Sequence, residues 1–279
     1  MLAISLALGA SIGYGLTDFL GGLAARKIPV LLLGAISQPL GLVFLLFMLP
    51  LSDGVFSQQA LVWGAISGVG GAIAYVMLFQ SLAIGPMSVA SPISALIAVV
   101  IPVLAGIAFG ERLPWAAWVG IFLGAAAVLM VSQVHSDAPH PVSLRVVLLA
   151  TGAGVFISIF LVALERSPDD SGLWPLIVVR IVTTILMVTF AFGTGSVSRP
   201  PRDAVLLGSA STILDVLATL LFLLATRDGL LSVVAVITAL YPAATVLMAK
   251  VVLGEHLQAI QRWGLGLAAV SVSLLAVAV

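Results

Sequence analysis

The sequence predicts an all-α polytopic membrane protein of ten transmembrane helices, arranged as two inverted five-helix repeats around a central cavity. Three observations carry this expectation. Hydrophobic residues make up 62% of the 279-residue chain and charged residues only 8%, whereas a soluble domain carries about 25% charged residues. Charged residues and Pro/Gly pairs cut the chain into ten apolar stretches of roughly 20 residues, each long enough to cross a bilayer core. The second half of the chain also repeats motifs of the first.

The composition excludes several functions. The 11 basic and 11 acidic residues cancel, so nothing points to a nucleic-acid partner. With no cysteine, disulfides, thiolate metal sites and cysteine nucleophiles are impossible. His135, His140 and His256, the three histidines, all fall in expected loops, so neither a metal, a cofactor nor an enzyme is expected.

The expected helices follow in order. The first, 2–23, begins without a charged segment, so it reads as a membrane helix rather than a signal peptide. At 3.6 residues per turn it gathers Ser11, Tyr14, Gly15, Asp18 and Gly22 on one face, which is expected to turn toward the cavity. Gly9 and Gly13 form a G-x-x-x-G pair suited to close packing. The second helix, 30–50, follows Arg26-Lys27, and the third, 61–84, aligns Gly64, Gly68, Gly71, Tyr75 and Phe79. Ser94, Pro92 and Pro102 lie in the fourth, 88–109, and Trp115 and Trp118 open the fifth, 114–133.

The polar segment 134–142 is the expected linker between repeats 1–133 and 143–279. The sixth helix is 143–165. The seventh, 172–193, starts near Trp174 and carries Arg180. The eighth, 203–226, aligns Gly208, Ser211, Thr212, Asp215, Thr219, Phe222 and Thr226. The ninth, 230–252, aligns Thr238, Tyr241, Pro242 and Thr245, and the tenth, 258–279, starts near Trp263.

The aromatics sort by depth. Trp63, Trp115, Trp118, Trp174 and Trp263 sit in the first six residues of their helices, where interfacial anchors belong. Tyr14, Tyr75 and Tyr241 sit near helix centres, where a hydroxyl needs a partner or water. A cavity wall of Tyr14, Tyr75, Phe79, Ser94, Asp215, Thr219, Thr238 and Tyr241 accounts for them. Interhelical packing is the alternative.

A charge at the bilayer centre costs about 2.5–3.5 kcal/mol on insertion scales. Asp215 is therefore expected to bind a substrate ammonium or carry a coupling proton. Arg180 would hold a substrate carboxylate or simply neutralise Asp215. Asp18 and Lys250, nearer helix ends, are expected to reach the interface by tilt or snorkelling; Asp18 remains a secondary coupling or charge-pair candidate. Pro92, Pro102 and Pro242 free backbone carbonyls and suit moving gates or static kinks.

One offset relates the halves: Gly85, Gly110 and Gly120 match Gly229, Gly254 and Gly264, each 144 residues later. "GPMSVASPISAL" aligns with "GLLSVVAVITAL", and "GERL" with "GEHL". Gly110, Glu111, Gly254 and Glu255 belong to these repeated turns and read as structural, for capping or charge placement. Five helices separate equivalent positions, so matching helices cross in opposite directions, as in many secondary transporters.

These motifs resemble the EamA family of the drug/metabolite transporter superfamily. The two five-helix halves, each with a G-E-x-L turn followed by a Gly-rich helix, carry the resemblance, and Tyr14-Gly15 is similar to the family's aromatic-glycine pair. The resemblance implies a multi-pass exporter in a bacterial inner membrane, and a monomer is expected. It implies amino acid or related metabolite substrates, most similar to the YddG-type aromatic amino acid exporters, with protons as a candidate coupling ion. It also implies cytoplasmic termini, whereas counting Lys and Arg in the loops places both termini outside.

Two other classes compete. A multidrug or organic-cation exporter on the same scaffold fits Asp215. An intramembrane hydrolase is disfavoured: the run Gly13-Tyr14-Gly15-Leu16-Thr17-Asp18 lacks an unbroken G-x-G-D, and no expected helix holds a histidine. The G-x-S-x-G spacing at Gly9, Ser11 and Gly13 lies in a continuous helix, without the strand–turn–helix of a nucleophile elbow.

Overall fold

Apolar runs with internal glycine and few charges form helices because a membrane core offers the backbone no other hydrogen-bond partners. A computed structural model describes residues 1–85, 87–131, 143–196, 199–253 and 258–278. The described residues form eleven α-helices: α1 (Leu2–Ala25), α2 (Val30–Met48), α3 (Gln58–Ile84), α4 (Met87–Ala108), α5 (Trp115–Val131), α6 (Leu144–Glu165), α7 (Trp174–Gly193), α8 (Arg202–Asp228), α9 (Leu231–Thr238), α10 (Tyr241–Leu253) and α11 (Ala259–Ala278). The expected linker, His135, His140, Gly254, Glu255 and His256 lie outside the described residues, as does the Lys250 side chain.

Eight segments are long and apolar enough to cross a membrane; Trp115–Val131 and Leu231–Thr245 are apolar but shorter. The main departure from expectation is in the ninth stretch. The single helix expected over 230–252 is broken at Ala239 and Leu240. Pro242 has no N–H to offer the Thr238 carbonyl. The Leu240 N–H turns instead to the Ile237 carbonyl at 3.2 Å, a tighter i→i−3 bond. By contrast, α4 remains one helix through Pro92 and Pro102.

Packing partners occur in exchanged pairs. α1 packs on α8 as α3 packs on α6, and α3 packs on α7 as α2 packs on α8. α4 packs on α6 as α1 packs on α9 and α10. α2–α7, α4–α9 and α5–α11 are each their own counterpart under the same exchange. Such exchange is what a pseudo-two-fold axis between repeated halves produces. The outward faces carry apolar side chains such as Phe47, Val69, Phe122, Ile185 and Leu206, which suits contact with lipid.

Small residues set the closest approaches. Gly9 and Gly13 face Leu221 and Ala218 of α8. Gly64 and Gly68 face Val178 and Val182 of α7, so the upper part of the α3 glycine stripe serves packing. Gly15 lies against the α9–α10 break: an added Cβ would come 2.5 Å from the Tyr241 carbonyl and 2.6 Å from the Ala244 Cβ. The Thr245 hydroxyl donates to the Gly15 carbonyl at 3.1 Å across the same contact. Gly15→Val should therefore force α1 and α10 apart, costing about 1–3 kcal/mol as overpacking does. The check is a lower unfolding temperature in detergent; an unchanged one would show that the two helices part freely.

The first G-E-x-L turn joins the halves. Gly110 has φ +97°, a left-handed conformation that favours glycine. This turn delivers Glu111 to the start of α9, where its carboxylate accepts from the Leu231 N–H at 2.6 Å and the Ser232 N–H at 3.1 Å. The Ser232 hydroxyl donates to it as well. An acid there satisfies orphan helix N–H groups and complements the helix dipole. Glu111→Ala should cost about 0.5–2 kcal/mol, the usual range for a lost cap, with Glu111→Gln losing less. Equal melting of all three proteins would refute the capping role.

The tryptophans divide. Trp115, Trp118 and Trp263 are exposed, as anchors would be. Trp174 instead donates its indole N–H to the Gly54 carbonyl at 3.2 Å and meets Phe56 edge-on. It ties the loop before α3 to the start of α7.

Candidate functional site

A cavity of about 120 Å³ lies among α1, α2, α3, α4, α6, α7, α8 and the α9–α10 break. It is where the central faces of the helices fail to close on one another. One wall is ionic. Arg180 of α7 is only 4% exposed and pairs with Asp215 of α8. Its other guanidinium nitrogen donates to Gln38 Oε1 on α2 at 2.6 Å. The Asp215 side chain stays 28% exposed and that of Arg180 5%, so the acid is the more open member of a pair that lines the cavity.

The aromatic wall comes from α3 and α6. Tyr75 and Phe79 stand edge to face, with ring centres 4.6 Å apart. Phe160 joins them in the lining, and its ring is the neighbour that a Cβ at Gly71 would meet. The Phe79 ring lies against the Cα of Gly21, where an added Cβ would come 2.5 Å from it.

The third wall is hydroxylic. The Tyr14 hydroxyl donates to Thr219 Oγ1 at 3.0 Å. The Tyr241 hydroxyl is 3.0 Å from Ser94 Oγ, which itself donates to the Ser91 carbonyl at 2.8 Å. Thr17 and Ser211 exchange bonds, each hydroxyl donating to the other's carbonyl, at 3.2 and 2.9 Å. The Thr238 hydroxyl is buried in the wall, just before the helix break, with no partner among the described residues.

Tyr14, Tyr75, Phe79, Asp215, Thr238 and Tyr241, all expected at a cavity, line this one, and so does Arg180. Ser94 and Thr219 do not reach the lining; they stand behind it and hold the hydroxyls of Tyr241 and Tyr14. Asp18 does not reach the interface: it is 5% exposed and lines the cavity with Tyr14 of the same helix face. The Ser91 hydroxyl of α4 donates to its carboxylate there at 3.3 Å. Phe222 and Thr226, which share the polar face of α8, also miss the cavity: Phe222 is in the core and Thr226 bonds back to the Leu223 carbonyl.

Sequence reasoning missed Gln38, Thr183 and Phe160. Gln38 had a signal, an amide inside the otherwise apolar run "LLLGAISQPLGLVFLL". Phe160 had none, being one apolar residue of an apolar helix. No group of His, Cys, Asp or Glu among the described residues is placed to hold a metal ion.

The sequence matches the model of the EamA-like transporter family over residues 1–133 and 144–277. One solved crystal structure shares 19% identity and superposes with a TM-score of 0.74, covering 96% of this chain and 98% of that one. At that identity the likeness is one of fold. A comparison with curated proteins finds no match. The chain belongs to the EamA-like transporter family. It is a multi-pass membrane transporter of the drug/metabolite type rather than an enzyme.

Proposed function

From that membership we propose that the protein exports amino acids with aromatic or other hydrophobic side chains, threonine-like ones, or related metabolites. It would do so by alternating access across a bacterial inner membrane, as a monomer. The observation that carries this reading is the mixed chemistry of the cavity. An amino acid offers an ammonium, a carboxylate and a side chain. Asp215 and Asp18 suit the ammonium, Arg180 the carboxylate, and Tyr75, Phe79 and Phe160 the side chain. The Thr238 hydroxyl, without a partner among the described residues, suits a bond to a polar substrate group.

The two halves of the family match, with a cavity between them, suit rocking about a central site. The break before Pro242 supplies a joint where α9 and α10 can change their angle, with Pro92 and Pro102 as further weak points in α4. Purified protein in liposomes preloaded with phenylalanine or threonine should take up the labelled amino acid by counterflow. Folded protein that moves no amino acid in a broad panel would overturn the proposal.

A second reading has its own support. Asp18, an acid in an aromatic-lined cavity without a cationic partner among the described residues, suits organic cations. Inhibition by quaternary ammonium compounds but not by amino acids would select that reading.

A further inference from the structure

Among the described residues of α2, Gln38 alone lines the cavity. It shares a helix face with Gly34 and Gly41, at i, i+4 and i+7. The two glycines let α2 lie close to its neighbours. An added Cβ would come 2.8 Å from Met187 of α7 at Gly34 and 2.9 Å from Thr212 of α8 at Gly41. Between them Gln38 is only 3% exposed. Its orientation follows from chemistry. A guanidinium has donors and no acceptor, so the amide must turn its oxygen toward Arg180, and Arg180 Nη1 donates to Oε1 at 2.6 Å. That leaves Nε2 turned away from Arg180, with no hydrogen bond among the described residues. Several other donors of the wall are already spent: the Tyr14 hydroxyl on Thr219, that of Thr183 on the Val179 carbonyl, and those of Thr17 and Ser211 on each other's carbonyls.

Unmade N–H groups on an enclosed amide are costly, so they favour any acceptor that enters. We propose that Gln38 is the residue that reads the carboxylate of the substrate, donating an Nε2–H to one of its oxygens. Arg180, its charge already balanced by Asp215, serves the carboxylate chiefly by aiming this amide. A hydrogen bond to an ionised acceptor is stronger than one between neutral groups. A neutral donor also brings no second charge whose burial would be penalised. The arrangement explains how a cavity lined by Asp18 and Asp215 can accept an anionic group at all: the donor that meets it is fixed in direction and carries no proton to lose.

This role rests on the export reading for its substrate. The experiment is counterflow of labelled phenylalanine in liposomes, with phenethylamine, which keeps the ring and the ammonium but lacks the carboxylate, as the competing compound. Gln38→Ala should raise the half-saturation concentration for phenylalanine about tenfold or more, as expected for a lost hydrogen bond to a charged group. Its inhibition by phenethylamine should stay at the wild-type value. Gln38→Glu separates recognition from bracing. It keeps an oxygen for Arg180 and the shape of the side chain, but offers the substrate an acceptor where the donor was. It should melt with the wild type and still lose phenylalanine affinity at least as far as Gln38→Ala. Wild-type phenylalanine affinity in Gln38→Glu would show that Gln38 only braces Arg180, and overturns the proposal. Equal weakening of both compounds in Gln38→Ala overturns it too, since a distorted cavity does not single out the carboxylate. Those two results leave export intact, whereas wild-type protein that moves no amino acid sinks the export reading and this role with it.

Discussion

Arg180→Met should unfold at a lower temperature than the wild type and stop counterflow, the largest effect expected of any single substitution here. Methionine keeps the stem volume but removes the guanidinium, leaving Asp215 without its counter-charge and Gln38 without its donor. Breaking a buried pair from one side costs about 3–5 kcal/mol, because the remaining charge is stranded. The loss belongs at the lower end of that range, since Asp215 is partly open to the cavity. Asp215→Asn is milder, because Arg180 keeps its bond to Gln38 and an amide oxygen of the same shape. The double variant Arg180→Met/Asp215→Leu removes both charges and should recover most of the lost stability. Transport separates the two roles of the pair. If the pair only braces α7 against α8, the double variant regains flux along with stability. If the pair handles substrate, it regains stability alone, and that is the expected result. Wild-type stability in Arg180→Met would show that Asp215 never needed its partner.

The residues that were legible in the sequence share one property: each is a polar or aromatic group where hydrocarbon surroundings punish it. Tyr14, Tyr75, Tyr241, Asp215 and Arg180 stand out in runs of Leu, Val and Ile, and they meet at one cavity. The helices were legible for the same reason, since each apolar run had to satisfy its backbone internally. What escaped depended on three-dimensional context. Ser94 and Thr219 were expected in the lining, yet they are not part of it and instead bond the hydroxyls of Tyr241 and Tyr14, which are. Asp18 sits close enough to a helix end to suggest the interface as well as the cavity face it shares with Tyr14, and its burial in the lining decides between the two. Pro242 marked a weak point in the ninth stretch, but nothing in the sequence separated it from Pro92 and Pro102, which sit in equally apolar sequence without breaking α4. Proline removes one hydrogen bond wherever it occurs; whether the helix then parts depends on its neighbours. Here Gly15 brings α1 against the Tyr241 carbonyl, immediately past the break.

Tyr75→Ala should raise the half-saturation concentration for aromatic amino acids while sparing aliphatic ones such as threonine. Tyr75 offers a ring edge-on to Phe79 and shares the lining with Phe160. A substrate ring entering there would complete a cluster of offset aromatic pairs, each worth about 0.5–1.5 kcal/mol beyond its buried area. Losing one such pair corresponds to about a two- to tenfold weaker apparent affinity. Tyr75→Phe removes only the hydroxyl and keeps the ring, so phenylalanine counterflow should stay near the wild-type value, whereas Tyr75→Ala should not. Size alone predicts a different pattern, since an enlarged cavity would weaken every substrate and admit bulkier ones. The decisive quantity is therefore the ratio of phenylalanine to threonine half-saturation in the three proteins. A ratio that rises in Tyr75→Ala but not in Tyr75→Phe assigns aromatic selectivity to the α3 wall. An equal ratio in all three would move substrate recognition away from Tyr75 and toward the ionic and hydroxylic walls.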